Sequence, residues 1–428
     1  MSDRRRLGVW LDGRHVADLL QERWPAIRCR YTEQALDLWP QNSPVISCSL
    51  PLRARPQDAL PFCRGLLPEG QALQTLAAHA GLAVNDTFDL LARYGRDVAG
   101  ALVIAEHGPQ ERRFGVERLT PAALEAAVDE LDEYPLGAHD DSELSLPGLQ
   151  DKLLLVDLGD GAWGRPLRGR PSTHILKLDD RRRPGLVGAE VLCLELAKAA
   201  GLTSVEYRLE TIGEERCLIV SRFDRRELAG KLERVHQEDL CQALGIDPGD
   251  NRGRAKYEDG GGPSLRQTAR LLDAYATDPG EQLDRLVATV AYTVLIGNAD
   301  AHGKNLALLH PGPQSVELAP LYDTVPTALW PKLRTDAAMA IGGQVALADV
   351  TLEDLLREAA AWNHPRERAE EAARKTIAAV TAAIDQGQIP PDSNVATLVH
   401  ARARRLLTRK PAPRSPRPRS RPRKCVSP

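Results

Sequence analysis

The segment Ile296-Gly-Asn-Ala-Asp300-Ala-His302-Gly-Lys304-Asn305 puts a carboxylate and a carboxamide five residues apart on one loop. An aspartate there can accept a hydroxyl proton, and an amide oxygen can ligate a hard cation. A second carboxylate, Asp323, follows two apolar runs, 306–309 and 316–321, that are divided by Pro311-Gly312-Pro313. Two strands folded back at that turn would bring Asp300, Asn305 and Asp323 to one end of a hairpin. Such oxygen donors suit Mg²⁺ rather than zinc. A base aspartate, a metal-binding asparagine and a later metal-binding aspartate form the order of parts a kinase uses. An Asp-x₄-Asn pair alone is commonplace in loops, so it is the flanking elements that single this one out.

Phosphate handling also needs donors. Ser145-Leu-Pro-Gly148-Leu-Gln150-Asp-Lys152 precedes an apolar run, and Gly148 would let backbone N–H groups approach phosphate oxygens. A glycine before a strand is often only a turn, and the segment is no Walker motif. In Thr173-His-Ile-Leu-Lys177-Leu a lysine interrupts an apolar strand, where burial would demand a carboxylate partner. Glu190 on the next helix is the candidate, and a strand lysine paired with a helix glutamate is how kinases hold α- and β-phosphates. The alternative is an edge strand with a solvated lysine. His302 reads as a group that positions the loop or the nucleotide, because Asp300 already fills the role of base. The chain has no Gly-x-Ser-x-Gly elbow, no His-x₃-His pair and no Gly-x-Gly-x-x-Gly after a strand.

The elements that must position these groups are legible in outline. Strands are expected near 7–11 and 45–50, then helices over 71–80 and 84–94 with Gly81 just past the first. Thr120-Pro121 reads as a helix start. The polar stretch 139–146 suggests a lobe boundary, followed by strands over 153–158, 173–178 and 216–220 and a helix over 189–200 stopped by Gly201. After about residue 235 helices take over, over 281–296, 351–362, 366–386 and 393–408. The first of these is apolar on most faces and so should be central.

Composition excludes several classes. At 428 residues, with 43% hydrophobic and 27% charged, the chain should form two or three globular domains. The best apolar run, 286–296, is short of the ~18–20 residues a bilayer span needs, and no signal-peptide core follows the basic start. Seven scattered cysteines without a Cys-x-x-Cys favour a reducing cytoplasm. Net charge of −3 hides an asymmetry, since residues 409–428 hold eight basic residues, six prolines and no acid. That tail should be extended and disordered, either as a solubilising extension or as a contact for nucleic acid or an acidic partner. The remainder holds 48 basic against 59 acidic residues, which argues against duplex binding by the folded part.

Nine ordered segments together resemble the HipA family, the serine/threonine protein-kinase toxins of bacterial type II toxin–antitoxin systems. They are Gly65-Leu-Leu-Pro-Glu-Gly70, Gly95-Arg-Asp-Val-Ala-Gly100-Ala-Leu, Ser145 to Lys152, Thr173 to Leu178, Ser221-Arg-Phe-Asp-Arg225, Gln237 to Gly245, Lys256-Tyr-Glu-Asp-Gly-Gly-Gly-Pro263, Gly297 to Asn305 and Tyr322-Asp323. The resemblance implies an α+β, bilobal protein-kinase-like fold. Its parts would be an extra amino-terminal subdomain (1–110), a small β-rich N-lobe (111–235) and a larger all-helical C-lobe (236–408), with the tail (409–428) outside.

The same resemblance implies Asp300 as catalytic base, Asn305 and Asp323 as Mg²⁺ ligands, and Lys177 as a holder of ATP phosphates beside the loop of Gly148, Gln150 and Lys152. Ser221, Arg222 and Phe223 would form the hinge whose backbone meets adenine, with His302 and Tyr322 flanking the nucleotide. Ser145 would be the serine that is phosphorylated by the kinase itself, ejecting the phosphate loop. The partners implied are a helix-turn-helix antitoxin, operator DNA reached through it, and a host protein substrate such as a translation factor, with no membrane. Asp151 departs from the family's usual Glu, and Ser221 stands where an acidic residue is common. Two other readings stay open: a small-molecule kinase, and a DNA-tethered regulator or pseudokinase acting with an antitoxin.

Overall fold

In the computed structural model, residues 5–108, 114–131, 133–139, 143–148, 150–179, 183–228 and 230–407 are described. The expectation for the basic tail, 409–428, lies outside them. The first layer is an antiparallel sheet of five strands in the order Gln57–Asp58, Ala26–Tyr31, Arg14–Arg23, Arg5–Leu11, Val103–Ala105. Ala26–Tyr31 alternates exposed and buried residues along its whole length, the period-2 signature of a strand with one face on a core. Helices Gly70–His79 and Thr87–Tyr94 form where periodicity places them, with Gly81 at φ 65° ending the first. Phe62, Leu66, Leu76, Leu90 and Leu91 join the sheet in one core.

One expectation fails in this region. Residues 45–50 make no strand beyond a single Ser47–Leu50 bridge. They form a buried turn whose hydroxyls are satisfied from far along the chain: Ser47 donates to Glu238 and Ser49 to the Gln242 carbonyl. Of the stretch 139–146, expected as a lobe boundary, residues 139 and 143–146 are described. Leu144 and Leu146 belong to the amino-terminal core, and Ser145 is buried, its N–H donating to the Asp97 carbonyl at 2.8 Å.

The second layer is a six-stranded antiparallel sheet in the order Tyr207–Ile212, Glu215–Ser221, His174–Leu178, Lys152–Asp157, Trp163–Leu167, Gly115–Arg118. Helix Leu186–Ala199 packs Val187 and Leu194 against Leu218 and Val220 of this sheet. The third part centres on helix Pro279–Ile296, started by the Asp278 cap with proline at the first position. Its Leu286, Val290, Tyr292 and Leu295 are buried among helices Leu265–Tyr275, Arg366–Asp385 and Asn394–Leu406.

The C-terminal part is not helical throughout. A three-stranded sheet runs His236–Asp239, Ala307–Gly312, Ser315–Leu318, and Asp336–Ile341 pairs with Gln344–Ala346. The last two strands of the sheet are the hairpin expected after the Asp300 loop. His236–Asp239 is four residues long and buried on both faces, so it carries no period to read. Among the described residues no helix is long and apolar enough to cross a membrane.

Candidate active site

Helix Pro279–Ile296 stops at Gly297, which takes φ 68° and closes the last turn with its N–H on Val294 O. A Cβ there would lie 2.9 Å from the Ala328 Cβ, so glycine also permits the close approach of the next segment. The loop then folds on itself. Asn298 Oδ1 accepts the Asp300 N–H at 2.9 Å, the His302 N–H donates to Asp300 O at 2.8 Å, and Asn305 Nδ2 donates to Asp300 O at 3.0 Å. With its nitrogen tied back, Asn305 keeps its oxygen as the atom to offer a cation. The Asp300 carboxylate stays 46% exposed, which leaves room for an incoming hydroxyl.

Asp323 is carried back toward this loop by the returning hairpin. Tyr322 before it donates to Lys304 O at 2.9 Å, and Asp323 itself sits at φ 50°, a strained setting for a non-glycine residue. Its Oδ1 accepts from Lys177 Nζ at 2.9 Å, and Glu190 Oε1 accepts from the same nitrogen at 2.7 Å. The edge-strand alternative for Lys177 therefore fails: the residue is 8% exposed in a strand with neighbours on both sides. Burial opposes the Lys177 charge, but Asp323 and Glu190 outweigh it and hold the pKa above that of an ordinary lysine. Burial likewise opposes ionisation of Asp323, and Lys177 outweighs it, so the carboxyl is held below its usual range.

A cleft lies above this triad. Ile175, Val205 and Val220 line it with Phe223 and Tyr322, whose rings lie 5.1 Å apart. Of the residues expected to form a hinge, Ser221 gives its N–H to Glu206 O and Arg222 gives its own to Thr173 O. The Arg222 guanidinium is engaged in a buried network with Asp224, Ser172 and the Val98 carbonyl. At the other end Gly148 takes φ +125°, and a Cβ there would lie 2.3 Å from Lys152 Nζ. That space lets Lys152 fold back onto Pro147 O at 2.9 Å, while Gln150 Nε2 donates to Leu178 O at 2.9 Å. Ser145 is buried with its hydroxyl on Leu66 O at 2.8 Å.

His302 is a buried brace for the loop. Its Nδ1 accepts the Lys304 N–H at 3.3 Å, and burial brings its pKa down to about 4, with the Lys256 charge adding to the drop and Asp300 opposing it. Sequence reasoning missed what surrounds the loop. Lys304 Nζ pairs with Asp239 at 3.0 Å, Glu69 pairs with Lys256 at 3.2 Å, and Tyr257 Oη donates to Asp300 Oδ1 at 2.5 Å. The segments that hold Glu69 and Tyr257 carry the family resemblance, but no local spacing links either to residue 300.

Two family models match, HipA N-terminal domain over residues 7–105 and HipA-like C-terminal domain over 144–384. The chain belongs to the HipA family. Among its relatives is the Sinorhizobium fredii protein named "Putative kinase Y4mE", 37% identical over 81% of this chain and 83% of its own length. The Shewanella oneidensis serine/threonine-protein kinase toxin HipA is 29% identical over 71% of each. A solved structure of Shewanella oneidensis HipA, in complex with HipB and its operator DNA, superposes with a TM-score of 0.77 over 94% of this chain and 96% of its own, at 24% identity. That likeness shows the α+β HipA fold, and relatives bearing kinase names support a kinase here.

Proposed function

We propose that this HipA-family chain is an ATP- and Mg²⁺-dependent serine/threonine protein kinase that phosphorylates a host protein to arrest growth. The observation that carries the reading is Lys177 held between Glu190 at 2.7 Å and Asp323 at 2.9 Å in a cleft that Phe223 and Tyr322 also line. A lysine locked in its charged form there offers a fixed cation to nucleotide phosphates. Asp323 and the Asn305 oxygen would hold Mg²⁺. A carboxylate and a carboxamide oxygen are hard donors that fit Mg²⁺, which takes few protein ligands and keeps water and phosphate oxygens. When bound, Mg²⁺ would neutralise charge on the transferring phosphoryl group.

Asp300 accepts the proton of an acceptor serine or threonine as that oxygen attacks the γ-phosphorus and ADP leaves. Phe223 and Tyr322 would flank the base, with the 221–223 segment as hinge and Gly148, Gln150 and Lys152 around the phosphates. In this reading 1–110 is an amino-terminal subdomain, 111–235 the N-lobe and 236–408 the C-lobe. Ser145 would be the self-modification site. Because its hydroxyl is buried on Leu66 O, the loop must leave that seat before Ser145 can be modified. Supported by the HipB and operator complex of the Shewanella relative, a small helix-turn-helix antitoxin is the proposed partner, with operator DNA reached through it. Purified full-length chain with γ-labelled ATP and Mg²⁺ should label itself and one host protein, and Asp300→Ala should not. Equal labelling by the two, or none by either, overturns the reading.

A further inference from the structure

Tyr257 stands 43 residues before Asp300 in sequence, yet its hydroxyl donates to Asp300 Oδ1 at 2.5 Å. The ring is fixed on several sides. The Arg334 guanidinium lies 4.8 Å over its face and the His302 ring meets it edge-on at 5.0 Å. Arg334 is itself immobilised by donating to the carbonyls of Asp336 (2.8 Å) and Ala337 (3.2 Å) and to Asp259 (3.4 Å). The Tyr257 backbone is fixed as well. Its carbonyl accepts N–H groups of Gly260 and Gly262, and the adjacent Lys256 carbonyl accepts the Gly303 N–H of the Asp300 loop at 3.0 Å. The amino-terminal subdomain closes the arrangement through Glu69, paired with Lys256.

We infer that Tyr257 is a positioning residue for phosphoryl transfer: it clamps one oxygen of Asp300 so that the other faces the acceptor hydroxyl. The inference rests on the kinase reading above. A carboxylate on a loop can rotate about its side-chain torsions, and one fixed donor removes that freedom while leaving the second oxygen to the acceptor. The donor stays a donor. Burial and the Asp300 charge push the Tyr257 hydroxyl well above the ordinary phenol range, so it keeps its proton throughout the neutral range.

The test uses the full chain with Mg²⁺ and γ-labelled ATP, reading the rate of label transfer to the chain itself at saturating nucleotide. Tyr257→Phe should lower that rate about 10- to 100-fold, with ATP affinity and thermal midpoint unchanged. The double variant with Asp300→Asn should be no slower than Asp300→Asn alone, since the hydroxyl acts only through that carboxylate. Arg334→Ala, which frees the ring but keeps the hydroxyl, should lose part of the same rate. An unchanged rate in Tyr257→Phe overturns the inference. A faster one also overturns it, because the hydroxyl would then stand in the acceptor's place. A loss that comes wholly from weaker ATP binding or from unfolding overturns it too. Absence of transfer by the wild type overturns the kinase reading itself, and so separates the two failures.

Discussion

The two loops that flank the cleft are held in different ways. The loop from Gly297 to Asn305 is tied to three separate segments: Ala299 N–H to Thr327 Oγ1 at 2.8 Å, Gly303 N–H to Lys256 O at 3.0 Å and Lys304 Nζ to Asp239 at 3.0 Å. The loop from Ser145 to Lys152 has lighter ties. Among its described residues, Ser145 places its N–H on Asp97 O and its hydroxyl on Leu66 O, Gln150 reaches Leu178 O, and Lys152 bonds within the loop, to Pro147 O. The first loop's ties include a buried ion pair, whereas those described for the second are hydrogen bonds to backbone carbonyls, which from neutral donors are worth about 0.5–1.5 kcal/mol net each. A base that must be aimed benefits from preorganisation, whereas a phosphate clamp that must open benefits from shallow restraint.

The largest effect should come from the rigid side. Asp300→Ala should lower label transfer by about 10²–10⁴-fold while ATP binding persists, because in the proposed mechanism the residue meets the acceptor and not the nucleotide's anchors. Transfer rate and nucleotide affinity measured together check this; an equal loss in both would mean that the loop also holds ATP. Next, Lys304→Met should destabilise the chain by roughly 3–5 kcal/mol in urea unfolding, since it leaves Asp239 buried without its cation. A loss as small as that of a surface pair would show the loop to be less firmly pinned than its contacts suggest.

How far the sequence disclosed this contrast follows from range. Lys177 with Glu190 was legible because a lysine in an apolar strand needs a partner and the next helix offers one, thirteen residues away. The Asp300 loop was legible from its buried helix and the hairpin behind it. Its anchors were not. Lys256 is secured by Glu69 at a separation of 187 residues, and Lys304 reaches Gly65 O at 239. Contacts of that separation are set by how the amino-terminal core docks, which no local period records. The strand expected at 45–50 failed for the same reason, because its polar partners, Glu238 and Gln242, lie about 190 residues on.

On the lightly held side, Ser145→Asp should weaken ATP binding about tenfold, the effect of ~1.4 kcal/mol of repulsion, since it sets a carboxylate beside the loop meant for phosphates. It also removes the hydroxyl that seats the loop on Leu66 O. Fluorescent-nucleotide titration reads the change. Unchanged affinity would mean that the loop keeps its place without the serine, and the switch assigned to it would fall.

The smallest effect distinguishes the loops by pH. Burial brings the Lys152 ammonium down to about 8, with Lys177 adding to the drop and Asp323 opposing it. Below that value Lys152 is cationic and attracts phosphate; above it the side chain becomes neutral. Bound phosphate favours the charged form and raises its pKa, so ATP affinity should fall several-fold between about pH 7 and about pH 9. Lys177, held above an ordinary lysine by Asp323 and Glu190 against its own burial, adds no slope in that window. Lys152→Arg should flatten the profile, because guanidinium stays charged throughout. A flat profile in the wild type would place the Lys152 ammonium away from the nucleotide and leave Lys177 as the cation that meets the phosphates.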